Sequence, residues 1–282
     1  MAIAYEEKVN VVKSGENVVL VGNNNFNLTH IFDCGQAFRF NLKDGIWQGV
    51  AFGKILKCSQ DGDHVIFYNI TIEEFKAIWF RYFTLDINYG EIIKTISENK
   101  TFELATNFAD GIRILRQDTW EALCSFIISQ NNNIPRIKGI IDRLCESFGE
   151  EIESGIYTFP RAEKLAPLSV LDLAPLRAGF RAKYIIDAAK KIANGEVLPL
   201  SLTYLPYETA KENLMLIKGV GHKVADCTLL FGCGRFEAFP IDVWIKRVMA
   251  SLFPDGLPEC ATEYAGIAQQ YLFYYARMNN IK

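Results

Sequence analysis

Over the first seventy or so positions apolar and polar residues alternate in short runs; after that the apolar residues recur three and four apart. The runs E-N-V-V-L-V-G (16–22), F-N-L-T-H-I-F (26–32), A-F-R-F-N-L (37–42), G-I-W-Q-G-V-A-F (45–52), K-I-L-K-C-S (54–59) and H-V-I-F-Y-N-I (64–70) predict strands. K-D-G and Q-D-G-D supply turns between several of them. After Thr71, I-E-E-F-K-A-I-W-F-R-Y-F predicts an amphipathic helix. From Tyr89 the spacing is helical: 87–97, 120–130, a helix starting at Pro135 behind three asparagines, and an amphipathic helix over 264–277. The pattern predicts an α+β fold. An antiparallel β-sheet domain with helices occupies 1–88, and an all-α region occupies 89–282.

The stretch from Asn213 to Val248 organises the helical part. It reads as helix, glycine-rich turn, helix, loop, helix, the first helix running to Lys218. Gly219 and Gly221 are free to take positive φ. The second helix starts near His222 and is stopped by Gly232 and Gly234. A turn of this kind aims the first amides of the second helix outward, a phosphate site that needs no basic side chain. Lys223 stands in that helix's first turn, where the dipole disfavours an ammonium and favours a neutral, nucleophilic amine. Asp242 follows Pro240 and precedes V-W-I-K-R-V, the place of an N-cap whose carboxylate the dipole keeps ionised. Either residue alone fits a solvated lysine or a plain cap; the two together, behind a G-V-G turn, point to chemistry on an electrophilic carbon.

Composition narrows this only in part. The 282 residues carry a net charge of −3, which argues against a broad electrostatic grip on nucleic acid. Locally, Arg177, Arg181, Lys183, Lys190 and Lys191 face only Asp187 between 177 and 191. The seven cysteines form no C-x-x-C pair, and their apolar neighbours fit buried thiols in a reducing cytoplasm. Residues 1–20 lack a long apolar core, so neither a signal peptide nor a spanning helix is expected.

L-I-K-G-V-G-H-K-V-A-D-C (216–227) followed by F-P-I-D-V (239–243) closely resembles the signature of the helix-hairpin-helix, Gly/Pro-Asp base-excision glycosylases, and within them the 8-oxoguanine DNA glycosylase family. The resemblance covers most of the chain. It implies an N-terminal antiparallel domain, then a helix-hairpin-helix core with the active site between its helical lobes. It makes Lys223 the nucleophile and Asp242 the catalytic aspartate of a bifunctional glycosylase and AP lyase. D-C-G-Q-A-F-R-F (33–40) resembles the segment where a glycine carbonyl, here that of Gly35, meets the proton that 8-oxoguanine carries on N7 and guanine lacks. The resemblance places Cys227 and Phe273 on the two faces of the extruded base, Gln269 on its Watson–Crick edge and Pro240 in the same pocket. S-Q-N-N-N-I-P-R puts Asn131 in the gap left by the base and Arg136 against its orphaned partner. L-R-A-G-F-R-A-K-Y supplies the aromatic wedge, Phe180, and a second opposite-base arginine, Arg181.

Gly219, Gly221, His222 and Trp244 would meet DNA phosphate, although Trp244 stands where eukaryotic members often have histidine. The carbonyls of Met215, Ile217 and Val220 would hold a structural monovalent or calcium ion. No cofactor is required, and the cysteine spacing disfavours the iron–sulfur cluster of the endonuclease III branch. The implied partner is duplex DNA containing 8-oxoguanine opposite cytosine, bound by a monomer with no membrane association. The implied location is cytoplasmic, with the nucleoid in a bacterium and the nucleus in a eukaryote as the corresponding sites. Two alternatives stand beside this: a glycosylase of the same superfamily acting on alkylpurines or other lesions, and a non-catalytic DNA-binding module. Lys223 speaks against both, because neither needs an amine nucleophile.

Overall fold

The computed structural model describes residues 10–22 and 25–280. The reading of the chain's start therefore lies, for residues 1–9, outside the described residues. Six strands, β1 (Asn10–Ser14), β2 (Asn17–Val21), β3 (Asn41–Lys43), β4 (Ile46–Ala51), β5 (Lys54–Asp61) and β6 (His64–Phe67), form one antiparallel sheet in the order β1-β2-β6-β5-β4-β3. Period-two alternation decides which face is covered. Val18 pairs with Phe67, Phe67 with Cys58 and Cys58 with Trp47, so one row of buried side chains crosses four strands. Phe32 lies over this face, stacked on Phe40 at 4.1 Å and tilted to Trp47 at 5.2 Å.

The alternating pattern misled in three places. F-N-L-T-H-I-F is a helix, α1 (Leu28–Asp33), not a strand. Asn27 caps it by accepting from the His30 amide at 3.1 Å, and Leu28, Ile31 and Phe32 are buried at helical spacing. In A-F-R-F-N-L only Asn41 and Leu42 join a strand, and Ala37–Phe40 is irregular. β1 has no apolar face to announce it, since only Val11 is even half-buried. The segment after Thr71 is helical as expected but broken in register: α2 (Ile72–Glu74), a π-helical turn (Phe75–Trp79) and α3 (Phe80–Tyr82). The wider turn, closed by Phe80 N–H on Phe75 O, inserts a residue and lets Phe75, Trp79, Tyr82 and Phe83 all be buried.

Helices follow: α4 (Tyr89–Ile96), α5 (Lys100–Phe108), α6 (Thr119–Ser129), α7 (Ile134–Phe148), α8 (Ala162–Leu165), α9 (Ala182–Ala193), α10 (Tyr207–Met215), α11 (His222–Cys233), α12 (Val243–Leu252), α13 (Glu259–Thr262) and α14 (Ala265–Met278). A small hairpin, β7 (Glu151–Glu153) with β8 (Ile156–Tyr157), interrupts them where the pattern reads as helical throughout. α6 is the central helix, every residue from Ala122 to Ile128 being buried. It packs on α11, where Gly232 is required because a Cβ there would come 2.9 Å from Thr119 Cα, and where Phe126 stacks on Phe231 at 5.2 Å. α14 is buried on nearly all sides rather than amphipathic, from Ala265 through Leu272 and again at Tyr274 and Ala276. Among the described residues no helix is long and apolar enough to cross a membrane.

The sheet and the helices are interlocked. Cys34 and Phe38, from the sheet's half of the sequence, lie in the helical core, and Leu115 lies in the sheet's core. At this seam Arg39 faces Glu121 of α6 at 3.6 Å and also donates to the Tyr157 carbonyl. Burial pushes the Glu121 carboxyl up to about 7; Arg39 pulls it back and Asp118 pushes it further. A carboxyl raised from 4.5 is held more tightly by the folded chain, so its stabilising protonated form is fully present below pH 4.5. That contribution is lost as pH rises to about 7. Glu121→Gln removes the titration. Its stability relative to the unmutated protein should therefore climb between pH 5 and 8, by up to about 3 kcal/mol, in parallel denaturation curves. A difference independent of pH would show that Glu121 ionises as an ordinary surface carboxyl.

Candidate active site

The hairpin is built from α10 and α11. α10 ends at Met215, three residues before the expected Lys218, and the chain then tightens through Leu216 N–H to Asn213 O, Ile217 N–H to Leu214 O and Val220 N–H to Ile217 O. Gly219 has φ +80°, and a Cβ there would sit 2.4 Å from the Tyr184 ring. Gly221 differs from the expectation: its φ is −104°, and open space surrounds its Cβ position. Positive φ is thus needed at one glycine of the pair. Gly221 instead serves as the N-cap that leaves the first turn of α11 uncovered. Tyr184 under Gly219 and the Asp187 carboxylate, accepting from Lys218 N–H at 2.8 Å, seat the hairpin on α9. Buried Asp226 accepts from Tyr207 at 2.6 Å and pairs with Lys211 at 2.7 Å, locking α11 to α10. Gly219, Gly221 and His222 remain exposed.

Lys223, in the first turn of α11, turns inward and is half-buried. Its Nζ lies 5.1 Å from the centroid of the Phe126 ring and 3.3 Å from Ser129 Oγ, both on α6. Among the described residues it has no ion-pair partner; an aromatic face and a hydroxyl hold it in place. Burial pushes the Cys227 thiol up to about 11, Lys223 draws it down through charge and a hydrogen bond, and Asp242 raises it. Asp226 raises it as well, and the hydrogen bond shows that Lys223 and Cys227, one turn apart on α11, meet. Asp242 is the N-cap of α12, one oxygen accepting from Ile245 N–H at 2.8 Å, and the loop that carries it passes through buried Pro240. Trp244 follows two residues later, with the Arg247 guanidinium 5.5 Å from its ring.

A second cluster joins Gly35 to α14. Gly35 has φ +81°, and a Cβ there would meet Phe273 Cε1 at 3.4 Å, Arg277 Nη1 at 3.7 Å and Ile134 Cδ1 at 3.8 Å. Its neighbours are fixed by buried amides. Gln36 donates to Ile31 O and Arg113 O and accepts from Leu115 N–H at 2.8 Å, while Gln270 donates to Cys34 O at 2.7 Å. Gln269 is 4% exposed, and its Oε1 has no hydrogen-bond partner among the described residues. A buried acceptor left free in this way awaits a donor.

The loop between α6 and α7 is short and rich in asparagine. Asn131 is exposed with φ +46°, Asn133 caps α7, and Arg136 is exposed in the first turn of α7. Phe180, 47% exposed on a single 3-10 turn, stands beside this loop. Arg181 is different in kind. Only 2% exposed, it donates to the carbonyls of Gln130, Asn131 and Ala178, with its Cζ 4.4 Å from the Phe180 ring. In the free protein its guanidinium is committed to main chain. Four contributors were not legible in the motifs: Phe126 and Ser129 around Lys223, and Gln270 and Arg277 behind Gly35. The i, i+4 spacing of Phe273 and Arg277 was the available signal for the last.

Both parts of the chain are similar to known proteins. The profile described as the 8-oxoguanine DNA glycosylase N-terminal domain matches residues 18–123. That of the HhH-GPD superfamily base excision DNA repair proteins matches residues 124–256. An N-glycosylase/DNA lyase of Saccharomyces cerevisiae is 32% identical over 250 residues, which span 78% of this chain and 66% of the yeast protein. The structure of MBOgg1 in complex with a low-affinity DNA ligand superposes with a TM-score of 0.91 at 43% identity, covering 96% of this chain and 99% of that one. The Clostridium acetobutylicum 8-oxoguanine glycosylase/lyase, bound to duplex DNA with cytosine opposite 8-oxoguanine, gives a TM-score of 0.90 at 41% identity over the same shares. With both halves of the chain matched and the hairpin, Lys223 and Asp242 in place, the protein belongs to the 8-oxoguanine DNA glycosylase family of the HhH-GPD superfamily.

Proposed function

We propose that this protein excises 8-oxoguanine from duplex DNA, preferably opposite cytosine, and cuts the strand through a Schiff base on Lys223. The observation that carries the reading is the setting of Lys223. A half-buried amine with no ion-pair partner among the described residues is held by Phe126 and Ser129 beside Cys227, one turn along the same helix. In the proposed sequence the Lys223 nitrogen bonds to C1′ of the extruded nucleotide as the C1′–N9 bond breaks. The bonding electrons leave with the base, which takes up a proton. The capped carboxylate of Asp242 offsets the positive charge that develops on the sugar. Ring opening gives an imine, which acidifies the C2′ proton and allows the 3′ phosphate to leave.

Gly35 O would accept a hydrogen bond from N7–H, Gln269 would address the Watson–Crick edge, and Cys227 and Phe273 would cover the two faces. The exposed hairpin at Gly219, Gly221 and His222 suits a phosphate of the same strand, and Trp244 would meet another. The Met215, Ile217 and Val220 carbonyls fit a structural monovalent or calcium ion. Ile217 O accepts a single main-chain bond, from Val220 N–H at 3.0 Å, which leaves a lone pair for the cation. Phe180 would replace lost stacking, and Asn131 would fill the gap.

Three outcomes test this. Lys223→Gln should bind 8-oxoguanine duplex yet lose excision and the borohydride-trapped covalent complex; trapping at the unmutated level would place the nucleophile elsewhere. Asp242→Asn keeps the cap and removes the charge, so single-turnover excision should fall by about a hundredfold or more with less effect on binding. An unchanged rate would leave Asp242 a structural cap. The arginines should separate. Arg136→Ala should narrow the cytosine-over-adenine preference, at about 1–3 kcal/mol for the lost contact, while leaving thermal stability unchanged. Arg181→Ala should narrow the preference and also lower stability, by about 1–3 kcal/mol, because the loop carbonyls lose their donors. Excision opposite all four bases at fixed salt, with melting curves, checks both.

A further inference from the structure

Arg277 ends a stripe on α14 formed with Gln269 and Phe273, each four residues from the next, so the three side chains share one helix face. The stripe has an acceptor at one end, a ring in the middle and a donor at the other. Gln269 Oε1 and Arg277 Nη1 are both buried and, among the described residues, both lack a hydrogen-bond partner. Arg277 is nevertheless held. Its Nη2 donates to Asp33 O at 2.7 Å, and its Cζ lies 5.7 Å from the Phe273 ring centroid and 5.6 Å from that of Tyr274. The guanidinium is therefore fixed against the Asp33–Gly35 segment with one N–H-bearing nitrogen to spare. That nitrogen lies 3.7 Å from the Cβ position of Gly35. A buried guanidinium nitrogen without an acceptor is costly to keep, and an acceptor brought by a ligand would relieve that cost.

We propose that Arg277 Nη1 donates to the C8 carbonyl oxygen of the extruded lesion, so that the oxidised edge is read at two adjacent points. This rests on the proposed excision of 8-oxoguanine and assigns a further specificity residue within it. In 8-oxoguanine the N7–H donor and the C8=O acceptor stand side by side. The protein offers their complement: Gly35 C=O accepts and Arg277 N–H donates. Guanine presents an N7 lone pair and a C8 hydrogen instead. It meets Gly35 O with an acceptor and Arg277 with nothing to accept, so both contacts fail together. The Phe273 ring lies between the two ends of the stripe, which is where a purine stacked on it would bring one edge to Gln269 and the other to Arg277.

The test compares 8-oxoguanine with 8-thioguanine, each opposite cytosine, in single-turnover excision by the unmutated protein and by Arg277→Leu. The thio base keeps N7–H and replaces the carbonyl oxygen with a weakly accepting sulfur. Loss of the arginine should slow 8-oxoguanine excision roughly 10- to 100-fold, and 8-thioguanine excision several-fold less. Cleavage at a preformed abasic site, which offers no base to read, should stay within about twofold. Losses by the same factor on both bases would overturn the proposal and leave Arg277 a prop for the Asp33 carbonyl. If Arg277→Leu also loses abasic-site cleavage, Arg277→Met is put through the same comparison, and the ratio of its two losses decides. An unmutated protein that leaves 8-oxoguanine untouched would overturn the proposed substrate and this contact with it, an outcome separate from equal losses in an active enzyme.

Discussion

The site depends on the chain from Cys34 to Phe40 being immobile. That stretch has no regular secondary structure, so no ladder pairs its amides and carbonyls, and burial forbids water as a substitute. Side-chain amides do the pairing. Gln36 bridges Ile31, Arg113 and Leu115, Gln117 donates to Gln36 O, and Gln270 takes Cys34 O. With its neighbours tied on both sides, Gly35 keeps a left-handed backbone and a fixed carbonyl direction. A single acceptor can discriminate between two bases only if it cannot rotate away to suit the wrong one.

Arginine does related work elsewhere in the molecule. Arg113, fully buried, donates to the carbonyls of Asn25, Phe83, Thr84 and Ile87 where the sheet domain gives way to helices. Arg143 donates through two nitrogens to Leu176 O, and Arg181 gathers the insertion loop. A guanidinium carries five donors in a rigid plane and bears no proton that burial can readily remove. It can therefore satisfy several carbonyls of an irregular segment at once, which lysine does less well. The net charge of −3 gives little idea of this, because several of its positive charges are spent inside the fold rather than on a DNA-facing surface.

Sequence reasoning succeeded where one local pattern determined the structure. Strands β2, β5 and β6 each bury alternate residues, as β4 does up to Gly49, and the caps at Asn133, Gly234 and Asp242 follow from their own side chains or lack of one. It failed where tertiary packing overrode the period. F-N-L-T-H-I-F alternates well enough for a strand, but its cap and its fit beneath the sheet favour a helix. The π turn at Phe75–Trp79 exists to align aromatics that only the folded sheet brings together. At the site, Lys223 and Asp242 were legible because hairpin and cap are local devices. Ser129 and Arg277 were not, since each matters only through a partner distant in sequence, Lys223 and the Asp33–Gly35 segment respectively.

Distance along the chain has a further consequence. The bonds from Gln270 to Cys34 and from Arg277 to Asp33 span 236 and 244 residues. Contacts of such separation close late, because the entropy of the intervening loop must be overcome before they return anything. On a ribosome, the segment around Gly35 emerges long before α14 exists to hold it. On the proposed reading, a chain still short of α14 could hold its sheet and its hairpin and yet lack the fixed Gly35 carbonyl that tells a damaged purine from a sound one. Discrimination would then be acquired only when α14 docks, and a chain released before that point would carry the proposed nucleophile without its selector.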